Sequence, residues 1–148
     1  MQIKKKVIEK VAECLMEADF AVQTPESEDP DYVIATTFQM QGVQMRFEII
    51  HDPKKNMLVF IVFFPEELPM GLDCDIFAVL NEINAESALG HFVFSKSTNK
   101  LTFRFAYFLL EKEFNPVKFK ENFYNILRGV LENYPLLQKL MSTEGANA

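Results

Sequence analysis

Met57-Leu58-Val59-Phe60-Ile61-Val62-Phe63-Phe64 is apolar without interruption. A strand turns successive side chains to opposite faces, so a run of this kind has no wet side and belongs in the middle of a sheet. It falls far short of the ~20 apolar residues that span a bilayer as a helix. His51-Asp52-Pro53-Lys54-Lys55-Asn56 breaks the chain before it, and Pro65 with Pro69-Met70-Gly71 is expected to end it.

The flanking segments supply partners for that strand. Tyr32 to Met40 is rich in β-branched and aromatic residues, and Gln41-Gly42 makes a turn. Val43 to Ile50 alternates, with Val43, Met45, Phe47 and Ile49 on one face and Gln44, Arg46 and Glu48 on the other. His91 to Ser95 and Leu101 to Leu110 read as a hairpin around the polar turn Lys96-Ser97-Thr98-Asn99-Lys100.

Three segments have helical spacing instead. Ile3, Val7, Val11, Cys14, Leu15 and Ala18 recur by threes and fours, ahead of an acidic, proline-bearing loop from Thr24 to Asp31. A second helix starts at Leu72 or Asp73, carries Ile76, Phe77, Leu80 and Ile83, and exits at Gly90. A third begins at Asn115-Pro116, an N-cap followed by proline at the first helical position. It runs through Phe119, Phe123, Ile126, Leu127, Val130, Leu131 and Tyr134, with a kink or restart expected at Pro135. The expected fold is therefore α+β, in the order α-βββ-α-ββ-α, with helices packed on an antiparallel five-stranded sheet. Residues 1–141 form one domain in this reading, and 142–148 a flexible tail.

The net charge of −6 argues against a nucleic-acid partner, which would call for a clustered basic patch. The one basic run, Lys4-Lys5-Lys6, is followed at once by Glu9, Glu13 and Glu17, as on a solvated helix face. No signal peptide or membrane segment is expected, and the chain reads as cytoplasmic.

Groups able to do chemistry are sparse. His51 and His91 lie forty residues apart, without HxxH or HExxH spacing, and Cys14 and Cys74 have no CxxC partner. Five scattered glycines form no phosphate loop. The acids of Glu26 to Asp31 lack the pattern of a calcium loop. Asp73-Cys74-Asp75 is explained by acids at a helix start around a packing cysteine. The expectation is no enzyme, no metal and no cofactor. Asn81 and Asn84, at i and i+3, either bond the backbone at the helix end or form an amide pair that reads a ligand.

The informative surplus is apolar. Three helices do not easily cover both sides of a five-stranded sheet, yet the central strand is apolar on both, and Tyr124, Leu127 and Leu131 widen the stripe of the third helix. Alternation does not choose the core face of the central strand. Leu58, Phe60, Val62 and Phe64, with Phe108 and Leu110, are taken as the candidate interaction surface. Asn81, Asn84 and Arg104 are the candidate orienting residues should the surface hold a small molecule instead.

The element order, with Leu80-Asn81-Glu82-Ile83-Asn84, Gly90-His91-Phe92 and the hairpin through Leu101-Thr102-Phe103-Arg104-Phe105, resembles the bacterial YbjN-like family over Ile3 to Met141. That family is described as sensory-transduction regulators with the fold of type III secretion chaperones. The resemblance implies a non-enzymatic, homodimeric module that binds other polypeptides in a chaperone-like or regulatory way. It carries over no catalytic residue, and fold similarity does not imply a secretion role. The alternative is a regulatory domain that senses a small molecule in an apolar pocket.

Overall fold

A computed structural model of the chain describes residues 6–26, 28–40, 42–67, 73–87, 89–109 and 114–141. Along them run α1 (Val7–Glu17), β1 (Val33–Met40), β2 (Val43–Asp52), β3 (Met57–Glu67), α2 (Asp73–Glu86), β4 (His91–Ser95), β5 (Lys100–Phe108) and α3 (Pro116–Met141). The strands form one sheet in the order β1-β2-β3-β5-β4, antiparallel at every step. The uninterrupted apolar run is thus the middle strand of five. The fold is α+β, as the spacing predicts.

Register shows why one face became the core. Ile49 stands opposite Phe60, which stands opposite Phe105, while Phe47, Val62 and Phe103 form the next row. Directly opposed residues share a face. On this inner face Met45, Phe47, Ile49, Leu58, Phe60 and Val62 are fully buried. α3 lays its rings across them: Phe123 lies 5.0 Å from Phe47 between centroids, Phe119 5.8 Å from Phe60, and Tyr134 5.9 Å from Phe64. α1 adds Ile8, Val11, Cys14 and Leu15, and α2 closes the β4 end with Ile76, Leu80 and a Phe77–Phe94 edge contact at 5.4 Å. All the ring contacts between helices and strands among the described residues fall on this side.

Two strand ends differ from expectation, and the third helix runs through its proline without a restart. β3 does not stop at Pro65 but continues to Glu67, where its pairing with β5 shifts register between Phe63 and Glu67. Such an irregularity is where a residue without an N–H can sit in a strand. Pro135 does not break α3, which runs on to Met141. The buried Tyr134 and Leu137 on either side of it hold both segments against the core, which offsets the roughly 3 kcal/mol that an interior proline costs. β2 extends to Asp52, leaving a shorter turn whose Lys54 and Lys55 amides donate to the Asp52 carboxylate. The expected starts at His91 and Pro116 hold, and Asn115 Oδ1 accepts from the Val117 and Lys118 amides at 3.0 and 3.2 Å. The expected tail 142–148 lies outside the described residues.

Gly90 has a φ of 65°, and a Cβ there would come within 2.6 Å of the Arg104 carbonyl oxygen and 2.7 Å of the Phe103 ring. Gly42 has a similar φ of 80° but open space around it. Gly90→Ala should therefore cost about 2–4 kcal/mol, from left-handed strain plus collision with β5, and Gly42→Ala only about 1–2 kcal/mol. Equilibrium unfolding in urea compares the two, and equal losses would contradict this account.

Candidate interaction surface

On the other side of β3 lie Met57, Val59, Ile61 and Phe63, all partly exposed. Their register neighbours complete the face: Ile50 beside Val59, Ala106 beyond it, and Phe108 opposite Met57. Phe108 is 55% exposed, and Val93 on β4 is 40% exposed. Charged and polar groups flank the other half of the strip, Glu48 and Arg104 beside Ile61 and Arg46 and Thr102 beside Phe63. Arg46 donates to Glu48 across 3.0 Å on the β2 side. On the β5 side Arg104 stands opposite His91 and donates to the Thr102 hydroxyl at 3.4 Å. Apolar residues bordered by polar ones are the anatomy of a protein–protein contact.

The proposed surface residues divide accordingly. Leu58, Phe60, Val62 and Phe64 are no more than 2% exposed and sit under the helices. They are core, and the alternate residues of the same strand take their place on the uncovered face. Phe108 is on that face, while Leu110 lies outside the described residues.

Asn81, Asn84 and Arg104 do not converge. Asn84 accepts the Phe92 amide at 2.8 Å and donates to the Phe92 carbonyl at 3.0 Å, filling both edge positions of β4 there. Asn81 is exposed on α2, and Arg104 points to the face that α2 does not touch. A shallow hollow of about 320 Å³ beside Arg104 is lined by Gly90, His91, Phe105 and Ala106.

Reactive groups are likewise scattered. The His51 Nε2 lies 3.4 Å from Asn56 Oδ1 in the β2–β3 turn, far in sequence and in the sheet from His91 on the β4 edge. Cys14 is buried, and desolvation pushes its thiol up, away from thiolate. The side chains of Asp73, Cys74 and Asp75 lie outside the described residues. Among those described, no group of three or more His, Cys, Asp or Glu could hold a metal ion. No helix among them is long and apolar enough to cross a membrane.

Sequence reasoning missed Asn56. Its backbone at φ 52° turns the chain into β3, its side-chain amide donates to the Leu109 carbonyl at 2.8 Å, and its own carbonyl accepts the Leu109 amide. It ties the β2–β3 turn to the end of β5. An asparagine closing a polar turn was the available signal.

A family model described as "Putative bacterial sensory transduction regulator" matches residues 8–139. The chain belongs to the YbjN family. A similar solved structure is "Crystal structure of YbjN, a putative transcription regulator from E. coli", with a TM-score of 0.66 at 12% identity, covering 90% of this chain and 97% of that one. Another is "Structure of the HopA1-SchA Chaperone-Effector Complex", with a TM-score of 0.52 at 9% identity, covering 88% of this chain and 99% of that one. At these identities the likeness is one of fold. No curated protein matches this YbjN-family chain with significance.

Two predictions follow from the two faces. Phe60→Ala should destabilise by about 3–5 kcal/mol and Ile61→Ser by less than about 1.5 kcal/mol, read by urea unfolding. A larger loss at Ile61 would reverse the assignment of faces. Tyr107 tests the core by pH. Burial pushes its phenol up to about 12, partly offset by the Asn122 side chain, and its hydroxyl is sealed from water with no well-formed hydrogen bond among the described residues. The folded chain then holds the proton more tightly than the unfolded one, whose phenol titrates near 10. Stability contributed by the neutral phenol should persist below about pH 10 and fall between about pH 10 and 12. Tyr107→Phe should lessen that alkaline loss and cost less than about 1 kcal/mol at neutral pH.

Proposed function

We propose that this YbjN-family chain is a non-enzymatic, protein-binding module of regulatory or chaperone-like type, which acts as a homodimer and takes polypeptide partners on the helix-free face of its sheet. The observation that carries the reading is the uncovered row Met57, Val59, Ile61 and Phe63 in the middle strand, extended by Phe108 and Val93. Exposed apolar patches mark interaction sites, and here an apolar strip along β3 widens at Val59 into Ile50, Ala106 and Phe108, with Glu48, Arg104, Arg46 and Thr102 beside Ile61 and Phe63. The neighbouring fold of a chaperone seen with its effector is in keeping with this. The dispersal of His51, His91 and Cys14 supports a role without catalysis. Cytoplasmic placement belongs to the same proposal.

Partners retained by the immobilised chain from a bacterial lysate would be identified, purified and titrated against wild type and against Ile61→Asp/Phe108→Ser. Binding at least about tenfold weaker in the variant, with unchanged cooperative unfolding, is expected. Partner binding that is indifferent to both substitutions would overturn the assignment of this face.

A further inference from the structure

α3 turns Phe119, Phe123, Ile126, Val130, Tyr134 and Leu137 inward, each no more than 2% exposed. Its opposite side mixes charged residues with large apolar ones, which a purely solvated helix face does not carry. Val117, Tyr124 and Leu131 stand there, exposed by 65%, 48% and 47%. They recur by sevens, so they lie nearly in line along the helix. Glu121 and Arg128, both exposed, fall between them and complete the alternating four-three spacing of a coiled-coil seam.

This seam is self-complementary when reversed. Val117 and Leu131 lie seven residues to either side of Tyr124, while Glu121 and Arg128 lie three before and four after it with opposite charge. We infer that α3 pairs with α3 of a second copy, antiparallel about a two-fold axis at Tyr124. Reversal sets Val117 against the partner's Leu131 and Glu121 beside the partner's Arg128, each contact occurring twice, while Tyr124 meets the partner's Tyr124 once, on the axis itself. Parallel pairing would instead set Glu121 on Glu121 and Arg128 on Arg128, a juxtaposition of like charges.

The surroundings fit that occupant. Among the described residues neither Glu121 nor Arg128 makes an ion pair within its own chain, whereas Lys120 reaches Glu17 at 3.4 Å. A hollow of about 430 Å³ lined by Val117, Lys120, Glu121, Tyr124, Asn125 and Arg128 lies beside the axis and can receive the partner's Tyr124. The seam from Val117 to Leu131 is roughly 21 Å long at the α-helical rise, so the contact is small and the dimer concentration-dependent. The inference rests on the homodimer reading above and names its surface. It leaves the open sheet face free for a different polypeptide.

Sedimentation of the full chain over a dilution series tests it. Wild type should dimerise, and Tyr124→Ser, Glu121→Arg and Arg128→Glu should each weaken dimerisation by about tenfold, with urea unfolding confirming the fold. The double variant Glu121→Arg/Arg128→Glu should return to within about threefold of wild type, because the reversed charges meet again across the axis. A dimer indifferent to these changes but lost in Ile61→Asp would overturn the α3 seam while leaving the homodimer standing. A monomer at every concentration would overturn both.

Discussion

The structure depends on the contact between the inner row of β3 and the aromatic side of α3. Phe60 sits at its centre, within ring contact of Phe47, Phe105, Tyr107 and Phe119. Phe64 meets Tyr134 at one end, and Phe20 packs on Phe123 at the other. Each buried ring contributes a few kcal/mol through lost hydration and close packing. Removing α3 would expose this row and leave β3 apolar to water on both sides. The rings of α3 cover this row from Phe119 to Tyr134, and the buried Leu137 holds the helix to the core beyond Pro135.

Among the described residues, that choice leaves the second face of the sheet without a helix. The edges, by contrast, are managed. Asn84 occupies the Phe92 backbone on β4, and Gln23 exchanges two backbone hydrogen bonds with Ala35 on β1. Partly blocked edges discourage strand addition at those points. Exposed apolar residues occur on the sheet face and along the outside of α3, and also at Met16, Tyr32 and Phe77. The sheet face and the α3 line differ in kind, the first an apolar strip flanked over half its length by charged and polar groups, the second a narrow line whose chemistry repeats when reversed.

Much of this was legible. Continuous apolarity placed Met57–Phe64 centrally, period-two alternation placed Val43–Ile50 with one wet face, and Asn115-Pro116 marked the start of α3. These are local signals, in which the residue itself carries the physical reason. The errors were also physical. Pro65 reads as the end of the strand because proline lacks a donor, yet a register shift absorbs it, and flanking core contacts carry α3 through Pro135 without a restart. The core face of β3 was not legible because its two faces are equally apolar, so nothing in the strand distinguishes Phe60 from Ile61, and the row taken as candidate surface is the buried one.

The sequence by itself determined the elements, their order and the excess of apolar surface, because periodicity and turn chemistry act over a few residues. Only the tertiary structure decided which side of the sheet the helices cover, because that follows from crossover geometry and from where the rings of α3 land. It also chose between the two readings of Asn84, in favour of backbone bonding, since its partner on β4 lies eight residues away in sequence and becomes adjacent only when α2 docks.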